Sequence, residues 1–93
     1  MPSLSAQALA AALQALADWR SAGEAITRTY QFDGFMPAIA FVNRVAAAAE
    51  AADHHPDIDI RYSRVTIGLS THDEGGVTQK DIDLAHQIDA LAA

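Results

Sequence analysis

Three of the four histidines in this 93-residue chain fall where a polypeptide is expected to change direction. His54 and His55 stand together just before Pro56, and His72 follows a run of alternating apolar residues. Imidazole exchanges a proton near neutral pH, so histidines brought to one pocket can give a single reaction both its acid and its base. Ends of secondary-structure elements are also where binding and catalytic groups concentrate. Two carboxylates stand at spacings that could serve these rings. Glu50 lies one helical turn before His54 and could orient an imidazole, or simply be solvated on a helix surface. Asp81 is the third residue after Thr78 in Thr78-Gln79-Lys80-Asp81, a helix-start pattern in which the carboxylate caps the backbone. A loop through Gly75-Gly76 could also fold it back toward the histidines, and the two roles are compatible.

Simpler and rival chemistries compete for the same residues. A polar helix exit accounts for His54-His55-Pro56, because imidazoles favour the negative end of a helix dipole and proline stops further winding. A zinc site could draw on His54, His55, His72 and an aspartate. Against it, neighbouring histidines tend to point apart, and no helical stretch carries histidines at i and i+4. A Ser-His-Asp hydrolase lacks the G-x-S-x-G turn that exposes its nucleophile. The absence of cysteine removes disulfides, thiolate metal ligands and thiol nucleophiles. His86, well inside the last helical pattern, reads as a surface or interface residue, and Trp19 as a core or interface one.

The elements that must position these groups are legible from periodicity. Leu9, Leu13 and Leu16 predict a helix over about 4–17, capped by Ser3 or Ser5. Trp19–Ser21 and Ile26–Phe32 read as strands around a turn at Ala22-Gly23-Glu24, with Arg28 interrupting the apolar face and leaving the second strand partly covered. Asp33 can cap the next helix, which runs to about Ala52 and presents Phe35, Ala38, Ile39, Val42, Val45, Ala46 and Ala49 on one face. Pro37 is tolerated in its first turn. Ile58, Ile60 and Tyr62, then Val65, Ile67 and Leu69, alternate with polar residues as two half-buried strands turning near Ser63. Leu84, Ile88 and Leu91 close the chain as a helix. The order αββαββα predicts an α+β fold, a four-stranded antiparallel sheet with three helices on one face.

Composition bounds the rest. The length supports one domain over 1–93, and with 21 alanines among its apolar residues the core is lean, which points to self-association. A net charge of −6 with only six scattered Lys and Arg offers no basic stripe for direct nucleic-acid binding. No positive leader opens the sequence, and no apolar run approaches the roughly 20 residues of a membrane span, so a cytoplasmic protein is expected.

The stretch Glu50-Ala51-Ala52-Asp53-His54-His55-Pro56, then Tyr62-Ser63-Arg64-Val65, Ser70-Thr71-His72-Asp73, Gly76-Val77-Thr78 and Asp81-Ile82-Asp83-Leu84-Ala85, resembles the pterin-4a-carbinolamine dehydratase family in order and spacing. Upstream, Trp19, Ile26, Arg28, Phe32, Phe35, Ala38 and Phe41 resemble the family's first half, so the likeness runs from about Leu13 onward. It implies dimers or tetramers and a pocket in which His54, His55, His72 and Asp81 are the catalytic group. Glu50, His55, Pro56 and Thr71 would meet the pterin substrate. Ile58 departs from the tryptophan many members carry there, which could alter a pocket wall.

The implied reaction removes water from a 4a-hydroxytetrahydropterin, giving quinonoid dihydropterin in tetrahydrobiopterin recycling. Elimination needs one group to protonate the leaving hydroxyl, assigned to His72, and one to take a ring-nitrogen proton, assigned to His54. His55 and Asp81 would fix the pterin and the tautomers, and no metal or organic cofactor is required. A functional link to an aromatic amino acid hydroxylase follows from such recycling. Two other roles remain open: a protein-interaction module, and a pterin binder acting elsewhere in pterin metabolism.

Overall fold

The computed structural model describes residues 2–92. Met1 and Ala93, the two ends of the domain expected over 1–93, lie outside the described residues. The elements are helix α1 (Ala6–Gln14), strands β1 (Arg20–Ala22) and β2 (Ala25–Gln31), helix α2 (Phe35–Ala52), strands β3 (Asp57–Arg61) and β4 (Arg64–Leu69), a short 3-10 turn (His72–Glu74) and helix α3 (Gln79–Leu91). The strands form one antiparallel sheet in the order β1-β2-β4-β3. Three helices and a four-stranded antiparallel sheet make the α+β fold that the element order predicts.

Strand register decides which face is covered. Ile26 stands opposite Leu69, Tyr30 opposite Val65, and Ile58 opposite Ile67, so these residues project from one face. Thr27, Thr29, Gln31, Arg64, Thr66, Asp57 and Asp59 occupy the other. The apolar face meets Phe41, Val45 and Ala49 of α2 and Ile82, Leu84, Ala85 and Ile88 of α3 in one buried cluster. Burying each large aliphatic or aromatic side chain stabilises by roughly 1.5–3 kcal/mol. Tyr30, Phe32 and Phe41 stack with ring centroids 4.7 and 5.0 Å apart, tying β2 to α2.

Several sequence expectations are corrected. Helix α1 begins only at Ala6, because the Ser5 hydroxyl accepts from the Ala8 N–H, and it ends at Gln14, where the chain tightens into i→i−3 bonds. On α2 the buried stripe is Ala38, Phe41, Val45 and Ala49, while Phe35 and Ala46 are exposed. So many alanines make several stripes equally apolar, and the sheet selects the one carrying the large Phe41. Ile60 is exposed because β3 is an edge strand, not covered like β4. Strand β2 is partly covered, as expected, with only Ile26 and Tyr30 buried, but Arg28 itself is half-buried and ion-paired to Asp89 of α3. The 3-10 turn at His72 is additional to the predicted elements.

By length and hydropathy alone, Phe35–Ala52 lies within the range of a membrane-crossing helix, despite the expectation drawn from apolar run length. Its 18 residues rise only about 27 Å, short of a bilayer's hydrocarbon core. It also carries Asn43, Arg44 and Glu50, and it packs four residues into the core.

Candidate active site

Helix α2 ends in a way that fixes His54. Asp53 adopts the left-handed conformation (φ 51°), its N–H bonds the Glu50 carbonyl at 3.1 Å, and the His54 N–H bonds the Ala49 carbonyl at 3.1 Å. This pair of backbone bonds is a Schellman stop, in which aspartate takes the place glycine usually holds. His54 therefore leaves the helix at a set angle, folded over the start of α3.

There Asp81 receives it. The side chain of Asp81 is 0% exposed and that of His54 is 13% exposed, and His54 Nε2 lies 2.5 Å from Asp81 Oδ1. The second carboxylate oxygen, Oδ2, accepts from the Thr78 N–H at 2.8 Å and from the Thr71 hydroxyl at 2.8 Å. Asp81 thus caps α3 and faces His54 at once. An ionised carboxylate can only accept, so this arrangement holds the proton of a neutral His54 on Nε2 and leaves Nδ1 for chemistry.

The loop that delivers Thr71 and His72 is closed by a bridge between Thr71 and Gly76, whose N–H and carbonyl groups meet at 2.9 and 3.4 Å. Gly75 makes the turn possible with φ 69°, a conformation other residues rarely adopt. The Leu4 N–H donates to the Val77 carbonyl at 2.7 Å, pinning the loop to the segment before α1.

These pieces surround an open cleft of about 410 Å³ whose walls are Asp53, His54, His55, Ser70, Thr71, His72, Asp73 and Lys80. All three histidines singled out by spacing meet there. Two depressions of about 440 Å³ lie on the polar face of the sheet, one against Arg20, Thr27 and Thr29 and one against Asp59, Arg61, Arg64 and Thr66. Neither has a histidine in its walls, whereas His54 also borders a depression of about 220 Å³ together with Ala52, Lys80, Asp83, Leu84 and Gln87.

Other expected site residues stand further back. Asp81 is behind the wall, bonded to His54. Glu50 bonds His55 Nε2 at 2.8 Å, but the two side chains are 81% and 61% exposed, and Glu50 is not part of the wall. Pro56 is not part of it either, and Ile58 packs on the hydrophobic core rather than on the cleft. His86 is exposed on α3. Among the described residues no three of His, Cys, Asp and Glu gather as a metal-binding group.

Sequence reasoning missed Ser70, Asp53, Asp73 and Lys80 as wall residues. Lys80 is the only lysine in the chain, and its place beside Asp81 at a helix start was the available signal. A second polar cluster was also missed. Asp89 Oδ1 accepts from Trp19 Nε1 at 2.9 Å, from Arg28 at 2.8 Å and from the Tyr30 hydroxyl. Burial and then the Asp89 carboxylate push the Tyr30 hydroxyl well above its usual value near 10, partly offset by Arg28.

Comparison with known proteins settles the lineage. Residues 2–91 match the family model described as pterin 4 alpha carbinolamine dehydratase. The chain belongs to the pterin-4a-carbinolamine dehydratase family. A relative from Nocardia farcinica, provisionally named pterin-4-alpha-carbinolamine dehydratase, is 60% identical over 96% of this chain and 94% of its own. One from Acidobacterium capsulatum under the same provisional name is 50% identical over 98% and 99%. Among solved structures, a transcriptional coactivator/pterin dehydratase from Brucella melitensis superposes with a TM-score of 0.94 at 40% identity, covering 98% of this chain and 99% of that one. A pterin dehydratase-like RuBisCO assembly factor of the alpha-carboxysome shares the family fold, with a TM-score of 0.68 at 22% identity over 81% and 87%.

Proposed function

We propose that this protein dehydrates 4a-hydroxytetrahydropterins by histidine acid–base catalysis. The observation that carries the proposal is the convergence of His54, His55 and His72 on one cleft, with Asp81 buried behind His54. In the reaction the C4a–O bond breaks. Protonated His72, at the cleft rim, gives its proton to the departing hydroxyl, which leaves as water. His54 Nδ1 takes the proton from a pterin ring nitrogen, and the electron pair released there forms the new double bond of the quinonoid dihydropterin. Asp81 stabilises the charge that builds on His54, while His55 and Thr71 line the same cleft and hold the pterin. General acid and base assistance is worth roughly 10² to 10⁴ in rate, an adequate scale for a substrate that also loses water unaided. Recycling of tetrahydrobiopterin after an aromatic amino acid hydroxylase, in the cytoplasm and as a dimer or tetramer, is the setting we infer.

The decay of freshly generated 4a-hydroxytetrahydropterin, followed by ultraviolet absorbance with and without protein, tests this directly. Acceleration that is lost in His54→Ala and unaffected by a chelator supports the proposal; no acceleration by the wild-type protein rejects it. An interaction role is the second reading, favoured by exposed Phe35 and Met36 at the start of α2 and by the description of the Brucella relative as a coactivator. It expects a protein partner that still binds the His54→Ala variant.

A further inference from the structure

We propose that Thr78 is a positioning residue for the histidine chemistry: its hydroxyl, acting through Thr71, orients the Asp81 carboxylate and so keeps the proton of neutral His54 on Nε2. The proposal rests on the dehydratase reading above and extends it to a residue outside the cleft wall. Thr78 and Asp81 are both fully buried, so neither exchanges its partners for water.

The direction of each hydrogen bond follows from counting protons. The Lys80 N–H donates to Thr78 Oγ1 at 3.2 Å. Thr71 Oγ1 lies 2.8 Å from Thr78 Oγ1 and 2.8 Å from Asp81 Oδ2. A hydroxyl has one proton, and an ionised carboxylate has none to give. Thr71 must therefore donate to Asp81, and Thr78 must donate to Thr71. The reverse order would set Thr71 Oγ1 against Asp81 Oδ2 with no proton between them. With Oδ2 committed to Thr71 and the Thr78 N–H, Oδ1 is left to His54 Nε2.

Capping α3 uses only the acceptor capacity of the Thr78 side chain. Its donation to Thr71 is surplus to the cap. Glycine also serves as an N-cap, at a small cost, but has no hydroxyl to donate. Serine does both.

The test compares Thr78→Val, Thr78→Gly and Thr78→Ser with the wild type in the dehydration assay, alongside 15N NMR of the His54 ring in the substrate-free protein. Folding is checked by circular dichroism, and Thr78→Gly carries the test if the valine variant does not fold. The expected result is a kcat about tenfold lower in Thr78→Val and Thr78→Gly, the effect of losing one hydrogen bond, with KM changed less than about twofold because Thr78 lies outside the cleft wall. The His54 nitrogens should shift toward a mixture of tautomers in the same two variants, and Thr78→Ser should restore both signals. Wild-type kcat and unchanged His54 nitrogens in Thr78→Gly would overturn the proposal, as would failure of serine to rescue. If the wild type does not accelerate dehydration, the functional reading fails by itself; the NMR comparison then decides the positioning claim alone.

Discussion

At the scale of single residues, the two neighbouring histidines have opposite environments, and their carboxylate partners should respond differently to substitution. The His55–Glu50 pair is largely exposed, so water screens it. Glu50→Gln should change stability by less than about 0.5 kcal/mol in urea denaturation. Asp81 is buried and its oxygens have unlike partners. In Asp81→Asn the amide oxygen can still accept from Thr71 and the Thr78 N–H, which places the amide N–H₂ against His54 Nε2. That ring must then accept at Nε2 and carry its proton on Nδ1, the wrong tautomer for a base facing the cleft. Dehydration should fall by roughly 10²-fold or more, with far-ultraviolet circular dichroism retained. Near-wild-type turnover would show that the tautomer of His54 does not matter. His54, His55 and His72 were legible in the sequence because their residue type and placement at element ends are local facts. The cleft position of Lys80 was not, because it depends on how the start of α3 folds beneath the end of α2.

At the scale of elements, the alternation of the strands and the Thr78–Asp81 helix start gave the element order, whereas strand order and register came only from the structure and the covered face of α2 was ambiguous. Its alanines make rotations of the helix nearly equal in hydropathy, and only the tertiary seat of Phe41 separates them. Arg28 was legible as an interruption of the apolar face of β2 but its partner was not, because Asp89 lies 61 residues away in sequence. That aspartate collects one donor from Trp19 in the α1–β1 connection and two, Arg28 and Tyr30, from β2, so it ties α3 to the sheet. Asp89→Ala would strand the Trp19 and Tyr30 donors and leave Arg28 only the exposed Asp18 carboxylate, 3.4 Å away. A loss of about 2–3 kcal/mol is expected, below the figure for a fully buried pair because Arg28 and Asp89 are partly exposed. Trp19 is the only tryptophan, so its fluorescence reports this unfolding directly. A loss under about 0.5 kcal/mol would mean that the cluster only decorates a contact made by packing.

The same cluster sets a pH dependence. Tyr30 has its pKa raised in the folded protein, so the folded state keeps a proton that the unfolded chain releases above about pH 10. Stability linked to this group is fully present below pH 10 and declines as pH rises beyond it. Tyr30→Phe should remove that part of the alkaline decline and leave the slope near neutrality unchanged. Equal slopes in both proteins between pH 10 and 11.5, measured by urea titration, would mean that Tyr30 is not linked to folding.

At the scale of the whole molecule, a lean core meets an exposed apolar surface. Three of the buried core residues, Ala38, Ala49 and Ala85, are alanines that bury little area, whereas Phe35 and Met36 stand 47% and 70% exposed at the start of α2. Scattered single apolar residues need no cover, but two adjacent large ones on an alanine-rich helix give a surface onto which another helix can pack closely. We propose that copies of this chain associate through that surface. Association stabilises the folded state by mass action, so the melting temperature should rise with protein concentration, on the order of 5 °C over a hundredfold range for a dimer of this size. Met36→Glu sets like charges against each other across a twofold contact and should abolish the dependence while leaving the dilute-limit melting temperature nearly unchanged. The histidine cleft is assembled from the α2–β3 connection, the β4–α3 loop and the first turn of α3 of one chain, so dehydration per chain should survive this substitution. A melting temperature independent of concentration in the wild type would remove self-association from the account. Loss of activity in a folded Met36→Glu monomer would instead mean that the cleft borrows rigidity from the neighbouring copy.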